Sequence, residues 1–337
     1  MNFNTLLASG LGLVALTGLA LTFERGPVRT EQTGYRGLSI GKVENKRKVD
    51  ALLDSQTIPE PQPPAEPGGK KASEAYQNVK VLGDLSENEF NRVMAAITEW
   101  VSPEQGCAYC HGEDGNFAED KLYTKTVARR MLQMTRHINA DWSKHVGATG
   151  VTCYTCHRGN PVPKQIWFTN PGAPQAGGMA ASRNGQNEPA KSVAYTSLPN
   201  DPFTTYLLLE EPIRAQSQAP LPDGHFTPIQ AVEGIYGLML HQSQALGVNC
   251  TFCHNTRNFG SWEMSPPTRT TAWHGQRMLR DLNQKYLVPL QITYPDNRLG
   301  PTGDAPKANC ATCHQGVHKP LNGVSMLKDY PEFARNP

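Results

Sequence analysis

All eight cysteines of this chain lie in four copies of one pentapeptide, C-x-x-C-H. The copies are Cys107/Cys110/His111, Cys153/Cys156/His157, Cys250/Cys253/His254 and Cys310/Cys313/His314. C-x-x-C-H is the sequence to which c-type haem is attached. The two thiols can form thioethers with one porphyrin edge, and the adjacent histidine can supply an axial nitrogen to the iron. The motifs therefore predict four covalently bound c-type haems, with all eight cysteines binding cofactor and the four histidines ligating iron.

Two other uses of paired cysteines fit this pattern less well. A structural zinc site combines two C-x-x-C pairs and does not require a histidine directly after each second cysteine. Disulfides would not repeat the same pentapeptide four times with no cysteine left over. We therefore expect haem attachment at every motif rather than zinc binding or disulfide formation.

Each iron also needs a sixth ligand, and two predicted helices carry a methionine at a similar distance before a haem motif. Ser86 begins a capping box that is followed by apolar residues at helical spacing, and Met94 lies on that face, 17 residues before His111. The other helix carries Met239, 15 residues before His254. A methionine on an apolar helix face usually packs in a core. The repeated offset favours iron ligation at both positions.

Another predicted helix carries both Met131 and His145 on one face. They are 14 residues apart, which is about 21 Å along a continuous helix, so they cannot ligate the same iron. The corresponding helix of the second half offers Met278 but no histidine near its end. We therefore expect a crossover, in which His145 of the first half ligates a haem of the second half.

The N-terminal region is long and apolar enough to span a membrane. Thr5 to Phe23 carries no charge, and 19 residues at about 1.5 Å each reach about 28 Å, close to the ~30 Å hydrocarbon core. A cleaved signal peptide is the alternative, because Gly18-Leu19-Ala20 resembles a cleavage site. No Lys or Arg precedes the apolar run, which favours a retained anchor with the bulk of the chain in the periplasm. The net charge of +2 does not suggest a nucleic-acid partner.

The two pairs of haem motifs suggest two dihaem halves related by an internal repeat. Arg130-Met131-Leu132 in the first half matches Arg277-Met278-Leu279 in the second. We expect a mainly α-helical fold with much irregular structure, in which the halves are related by a pseudo-twofold axis. The predicted division is 1–23, transmembrane anchor; 24–75, extended segment with a Pro-rich spacer at 59–72; 76–169, first dihaem half; 170–225, connecting segment; 226–320, second dihaem half; and 321–337, C-terminal tail.

Nearly the whole chain resembles the tetrahaem cytochrome subunit of photosynthetic reaction centres from purple bacteria. The resemblance includes the stretch Glu31-Gln32-Thr33-Gly34-Tyr35-Arg36-Gly37 and the segment CATCHQGVHKPLNGVSMLKD from Cys310 to Asp329. In that family three haems have Met/His ligands and one has two histidines. The implied pairs are Met94/His111, Met131/His157, Met239/His254 and His145/His314, for haems 1 to 4. Met134 and Met278 are then packing residues, and the histidines at 137, 225, 241, 274 and 318 are not ligands.

The resemblance implies an electron carrier rather than an enzyme. It would re-reduce the photo-oxidised bacteriochlorophyll special pair with electrons from a soluble periplasmic donor, either a cytochrome of the c2 or c8 type or a high-potential iron–sulfur protein. The implied partners are the L and M subunits, with the H subunit and light-harvesting complex 1 in the same assembly. Haem 3 would be nearest to the special pair, followed by haems 4, 2 and 1. The site would be on the periplasmic side of the intracytoplasmic membrane.

Some details concern this chain in particular. Many family members carry a lipidated cysteine after the leader, whereas every cysteine here belongs to a haem motif. The apolar helix would therefore provide the attachment. Arg269 follows the third motif, and the resemblance implies an arginine close to haem 3 that tunes its potential. A solvated arginine at the surface is the alternative.

Two other functions are compatible with four C-x-x-C-H motifs. A membrane-anchored tetrahaem quinol dehydrogenase of the NapC/NirT type also has one N-terminal helix, but the methionine-bearing helices argue against its low-potential ligand set. A multihaem reductase of nitrogen or sulfur oxyanions would need one iron with an open position. High midpoint potentials and four six-coordinate irons would exclude these two alternatives, respectively.

Overall fold

The computed structural model describes residues 2–23, 26–171, 185–188, 190–215 and 228–335. Much of the predicted connecting segment, including His225, lies outside these ranges. The described α-helices are α1 (Phe3–Thr22), α2 (Lys46–Asp54), α3 (Ala72–Ala75), α4 (Glu87–Val101), α5 (Ala108–His111), α6 (Tyr123–Asp141), α7 (Ser143–Val146), α8 (Cys153–His157), α9 (Ile229–Leu246), α10 (Thr268–Leu282) and α11 (Cys310–His314). The strands are β1 (Val28–Thr33), β2 (Ile40–Asn45), β3 (Ile166–Trp167) and β4 (Lys307–Ala308).

Short 3-10 and π-helical turns connect these elements. The 3-10 turns are Lys191–Val193, Cys250–Phe252, Val288–Thr293, Asp296–Arg298, Pro320–Gly323, Met326–Lys328 and Pro331–Phe333. The π-helical turns are Thr204–Leu208 and Asn283–Leu287. Both sheets are antiparallel pairs, β1 with β2 and β3 with β4. The expected mainly helical fold with much irregular structure is therefore present.

Helix α1 is the predicted apolar span. It runs from Phe3 to Thr22, with no acidic residue in its first turn and no basic residue in its last. Its large apolar side chains are exposed. Within the described ranges it is the one helix whose length and composition would allow it to cross a membrane, a test that a signal sequence also passes. The helix therefore agrees with membrane association.

The segment 24–75 contains more regular structure than the sequence predicts. Strands β1 and β2 form a hairpin with Val28 paired to Asn45 and Thr33 to Ile40. The hairpin packs on the third haem motif, where the buried Thr251 hydroxyl donates to the Thr33 carbonyl at 2.9 Å and accepts from the Ile40 amide at 2.9 Å. The N-terminal segment is thus part of the wall around that motif. Each strand has only six residues, so the pattern of apolar and polar residues was too short to predict this hairpin from the sequence.

The first core forms around α4. The predicted capping box is present, because the Ser86 hydroxyl accepts from the Glu89 amide at 3.2 Å and the Glu89 carboxylate accepts from the Ser86 amide at 2.8 Å. Trp100 of α4 is buried against Tyr330 and Phe333, with ring centroids 4.6 and 6.1 Å away. The segment 321–337, separated as a tail in the sequence, therefore supplies buried core residues to the first half.

The sequence pattern suggests that α6 continues up to His145, but the helix ends before that residue. It ends at Asp141, and Trp142 interrupts the helix with φ −109° and ψ 25° before α7 begins. The Trp142 indole donates to the Asp281 carboxylate of α10 at 3.1 Å, which holds the break against the second half. The interruption turns His145 away from the axis of α6 and towards α10.

Candidate haem sites

One cavity of about 1230 Å³ extends through the haem-motif region. Its walls contain the cysteines and histidines of the first, second and fourth motifs together with three predicted sixth ligands: Met94, Met131 and His145. The volume exceeds the roughly 300–1,000 Å³ of pockets for one small molecule. The structure therefore brings nine of the twelve motif residues and three of the four predicted sixth ligands together around one cavity.

The third motif is placed differently. Cys250, Cys253, His254 and Met239 do not line the large cavity, although Phe252 of the same motif does. Met239 instead packs against a second core that contains Trp167 and Leu238. The backbone of this motif forms a 3-10 turn, whereas the other three motifs form single α-helical turns.

The four motif histidines share one orienting contact. In each, Nδ1 lies at hydrogen-bonding distance from a backbone carbonyl: His111 to Phe117 at 3.2 Å, His157 to Asn160 at 2.9 Å, His254 to Phe259 at 2.7 Å and His314 to Val317 at 3.0 Å. A carbonyl can only accept, so Nδ1 carries the proton and Nε2 keeps its lone pair. This is the usual arrangement of an imidazole that ligates a metal through Nε2.

His145 has the same arrangement. Its Nδ1 is 2.9 Å from the Thr271 carbonyl of α10. Its ring centroid is 6.0 Å from that of His314, with the planes inclined by 67°. Two metal–nitrogen bonds of about 2.0 Å each, plus the two ring radii, give roughly 6 Å between the centroids of two imidazoles on one metal ion. The spacing of His145 and His314 therefore fits one iron between them.

The other described histidines lack this combination. Both ring nitrogens of His137 contact carboxylates, Nδ1 that of Asp141 at 2.6 Å and Nε2 that of Asp281. His241 is buried with its Nε2 unbonded, and it packs on Phe203. His274 packs on Trp273 and His318 on Phe252. The carbonyl contact at Nδ1 thus separates the five predicted ligands from these four histidines.

Burial favours the neutral form of the five histidines predicted to be ligands. It lowers the pKa of His111, His145, His157 and His254, and it lowers the pKa of His314 to about 4. A neutral imidazole is the form that ligates a metal. Burial also raises the pKa of the Cys110 thiol to about 11 and those of Cys153 and Cys310 to about 12.

A structural zinc site needs four side-chain ligands at one point. No group of three or more His, Cys, Asp or Glu side chains that could hold a metal ion occurs within the described residues. The donor set and the large apolar-walled cavity fit haem, in which the porphyrin supplies four iron ligands and the chain needs to supply only two.

Cys156 and Cys313 differ from the sequence prediction. They are joined by a disulfide, with Cα atoms 4.4 Å apart, whereas the sequence predicts thioethers at both. The reason is the packing of α8 against α11, which brings the second cysteines of the second and fourth motifs together. A sulfur in this bridge cannot also be bonded to a porphyrin, so the bridged and haem-attached forms exclude each other. The other six cysteines are free.

The second and fourth motifs have the same local conformation. The Thr152 amide donates to the Thr155 hydroxyl at 3.0 Å, and the Asn309 amide donates to the Thr312 hydroxyl at 2.9 Å. After each motif one residue is left-handed, with φ 49° in both cases. The next amides, of Gly159 and Gly316, donate to carbonyls at the ends of α4 and α9, both at 2.8 Å.

The first and third motifs also correspond. The histidine of each packs on a following phenylalanine, His111 on Phe117 at 5.0 Å and His254 on Phe259 at 5.5 Å between centroids. The same phenylalanines provide the carbonyls that Nδ1 contacts. These pairwise matches support the internal repeat, and neither phenylalanine was identified from the sequence.

Comparison with known proteins agrees with these sites. The family model described as the photosynthetic reaction centre cytochrome c subunit matches residues 24–334. The chain belongs to this family. Proteins named photosynthetic reaction center cytochrome c subunit are 53% identical in Rubrivivax gelatinosus, over 96% of this chain and 89% of the relative, and 49% identical in Thermochromatium tepidum, over 95% and 78%. A Roseobacter denitrificans protein of the same name is 42% identical, over 96% and 91%.

Family membership establishes the general role of the chain. It is an electron-carrier component of a photosynthetic complex rather than an enzyme, and as a cytochrome c it carries covalently bound haem. Its N-terminal apolar helix fits membrane anchoring. The large cavity and the oriented histidines are therefore features of a haem protein that transfers electrons.

Arg269 lies beside the third motif. Its guanidinium donates to the Ser261 carbonyl and the Ser265 hydroxyl, both at 2.8 Å, and stacks over Trp262 with 4.0 Å to the ring centroid. Burial lowers the pKa of Arg269, and the nearby Cys253 acts in the opposite direction. The cation is thus fixed in place by several contacts rather than free at the surface.

Proposed function

We propose that this subunit carries four c-type haems and uses them to re-reduce the photo-oxidised special pair of the reaction centre with electrons from a soluble periplasmic donor. The observation that supports it best is the set of five histidines whose Nδ1 is held by a carbonyl, including the facing pair His145 and His314. When bound, each haem supplies a one-electron Fe(II)/Fe(III) couple. The remaining properties come from the side chains around each site.

We assign one pair of axial ligands to each haem. The pairs are Met94/His111, Met131/His157, Met239/His254 and His145/His314, and all eight motif cysteines form thioethers in the loaded protein. Met94, Met131 and His145 line the same cavity as the first, second and fourth motifs, and so do Met134 and Met278. Met134 and Met278 also pack around Ile138 and Leu282 in a third core, which fits the role of packing residues.

This ligand set suits electron donation at high potential. A thioether ligand favours Fe(II) and raises the reduction potential relative to a second imidazole. Three sites with a methionine would therefore hold electrons at potentials suitable for an oxidised chlorophyll. His145 would make the fourth site the low-potential member. Arg269 beside the third motif adds a positive charge that also favours Fe(II), because the reduced site has one positive charge fewer.

We propose that the halves 76–169 and 226–320 are related by a pseudo-twofold axis that passes between the second and fourth motifs. The matched conformations of these motifs and the contact between Cys156 and Cys313 support that position for the axis. The spatial order of the sites would then be first, second, fourth and third. The third site would be nearest to the special pair, and the first site would be the entry point from the soluble donor.

The assembly follows from this role. The haem domain would lie on the periplasmic side of the intracytoplasmic membrane against the L and M subunits, with the H subunit and light-harvesting complex 1 in the same complex. The soluble donor would be a cytochrome of the c2 or c8 type or a high-potential iron–sulfur protein. No observation favours the quinol dehydrogenase alternative, because the matched family is that of the reaction centre.

Flash spectroscopy of membranes tests the function directly. After a flash we expect the oxidised special pair to be re-reduced with simultaneous oxidation of c-type haem. A redox titration should show several midpoint potentials well above zero. Flash-oxidised special pair that persists while c-type haem stays reduced would contradict the proposal, and four low midpoint potentials would favour the quinol dehydrogenase.

The haem content is a separate prediction. The intact mass of the mature protein should correspond to the chain plus four haems, with no disulfide, because thioether formation at Cys156 and Cys313 consumes both sulfurs. Peptide mapping should find a haem peptide from every motif. A mass with fewer haems, or a peptide that contains the Cys156–Cys313 bridge, would contradict the assignment.

The retained anchor is a further prediction. Replacing residues 1–23 with a cleavable export signal should still give a four-haem protein, because the motifs and their ligands all follow residue 90. The product should dissociate from the reaction centre more readily in detergent or salt, since it lacks the apolar helix. A wild-type mature chain that begins near Thr22 in the mass spectrum would contradict retention of the anchor.

A further inference from the structure

Gly275 of α10 is in contact with the imidazole of His145. A Cβ added at position 275 would be 2.5 Å from Cε1, 2.8 Å from Nδ1 and 3.1 Å from Nε2 of His145. Distances below about 3.0 Å are essentially forbidden to real Cβ atoms. The ring therefore occupies the space that any other residue at 275 would fill.

The imidazole cannot easily move away from that contact. One turn earlier on α10, the Thr271 carbonyl lies 2.9 Å from its Nδ1, and on the other side the ring faces His314 at 6.0 Å. Thr271 and Gly275 are four residues apart and form one surface of the helix. The His145 ring fits this surface because Thr271 offers its carbonyl at one end and Gly275 has no side chain at the other.

The internal repeat shows that the glycine is specific to one half. When Met278 is aligned with Met131, Gly275 corresponds to Ala128. Ala128 lines the cavity on the helix that carries Met131, the ligand we propose for the second site, and no histidine has to cross to that site. The half that receives the crossover histidine has the residue without a Cβ. Gly275 lies in the middle of a helix, where glycine is unfavourable relative to alanine.

We propose that Gly275 is the positioning residue of the crossover ligand, and that its missing Cβ admits His145 to the iron bound by His314. The proposal rests on the proposed pairing of His145 with His314. An alanine at 275 displaces the imidazole from the axial position, although Gly275 itself touches neither iron nor porphyrin.

The test is Gly275→Ala in the full membrane-bound complex. The electron paramagnetic resonance signal of the bis-imidazole ferric site should be lost, and after reduction one haem of four should bind CO. The signals of the three methionine-ligated sites should not change. Gly234→Ala is a matched control, because it also adds a Cβ to a glycine within a helix, 3.1 Å from the Tyr206 hydroxyl and away from His145.

A double-variant comparison separates positioning from general damage. In a His145→Ala background the added Cβ has room, so Gly275→Ala should leave the spectra of that background unchanged and should raise its unfolding temperature, because alanine favours the helix. In the wild-type background the same change should lower the unfolding temperature. Should Gly275→Ala alone fail to accumulate, recovery of a stable double variant would still support a clash with His145.

Two results would overturn the inference. The first is a Gly275→Ala protein with an intact bis-imidazole signal and no CO binding. The second is an equal loss of stability in the wild-type and His145→Ala backgrounds, which would indicate a clash unrelated to His145. A wild-type protein without a bis-imidazole signal, or a His145→Ala protein that retains one, would instead show that the ligand pairing is wrong, independently of Gly275.

Discussion

Replacing His145 with alanine is expected to leave one iron, and only one, without its sixth ligand. The centroid of the His145 ring lies 6.0 Å from that of His314, and its Nδ1 is held by the Thr271 carbonyl. No other described histidine ring is paired with that of His314 in this way. The affected site should become five-coordinate and should bind CO when reduced. The reduced-minus-CO difference spectrum, scaled to total haem, should correspond to a quarter of the haem.

His274→Ala provides a control for this variant. His274 lies on the same helix as Gly275, but its ring packs on Trp273 and it is not one of the histidines whose Nδ1 contacts a carbonyl. We expect no CO binding in that variant. If instead His145→Ala opened the site of His157, the assignments of Met131 and His145 would have to be exchanged. Removing the two cysteines of one motif at a time in the His145→Ala background assigns the CO-binding site to a motif: CO binding should be lost only with the fourth motif.

The residues that we propose to carry the chemistry were predicted from local signals in the sequence. C-x-x-C-H is a contiguous motif, and the Ser86 capping box and the apolar face of α4 follow from the composition of one helix. The crossover of His145 was also predicted, from the length of a continuous helix and from the lack of a histidine near the end of the corresponding helix in the second half. The backbone differs from that expectation, since α6 ends at Asp141 and α7 carries His145 separately.

Features that depend on distant contacts could not be predicted. The hairpin of β1 and β2 is positioned by Thr251, more than 200 residues later in the chain. Tyr330 and Phe333 fill the core beneath Trp100, although their segment was predicted to be a separate C-terminal tail. Gly275 is recognisable only when the His145 ring is seen in contact with it. In each case the contacting residue is remote in the sequence, so no short stretch of the chain contains both partners.

The proposed ligand pairs suggest how one repeat could produce two kinds of site. The motif conformations match in pairs, and both halves place a methionine-bearing helix before the first motif of each pair. The two halves differ at α7 and α10. There the helix break at Trp142 and the missing Cβ at Gly275 allow the imidazole of His145 to reach from the first half to the second. We infer that a low-potential site is created by two local changes while the rest of the repeat is kept.

Replacing Met239 with histidine is expected to have the largest effect on electron transfer. Met239 lies on α9 before the third motif and packs beside Leu238 and Trp167. We propose it as the thioether ligand opposite His254, so the change gives a bis-imidazole site. Its midpoint potential should fall by a few tenths of a volt, within the range of about 0.8 V that axial ligands span. The other three midpoint potentials should stay in place.

The kinetic consequence follows from the proposed position of the third site nearest to the special pair. A lower potential increases the driving force for donation from this site, but it also keeps the site oxidised at ambient potentials where the wild-type site is reduced. Flash experiments at a fixed intermediate potential should therefore show slower and smaller re-reduction of the special pair than in wild type. Met278→Leu is the control, because Met278 is buried against Ile138 and Leu282 and is proposed only to pack; it should leave all four potentials unchanged. Should Met239→His leave every midpoint where it was, Met239 is not an iron ligand, and the pairing with His254 has to be abandoned.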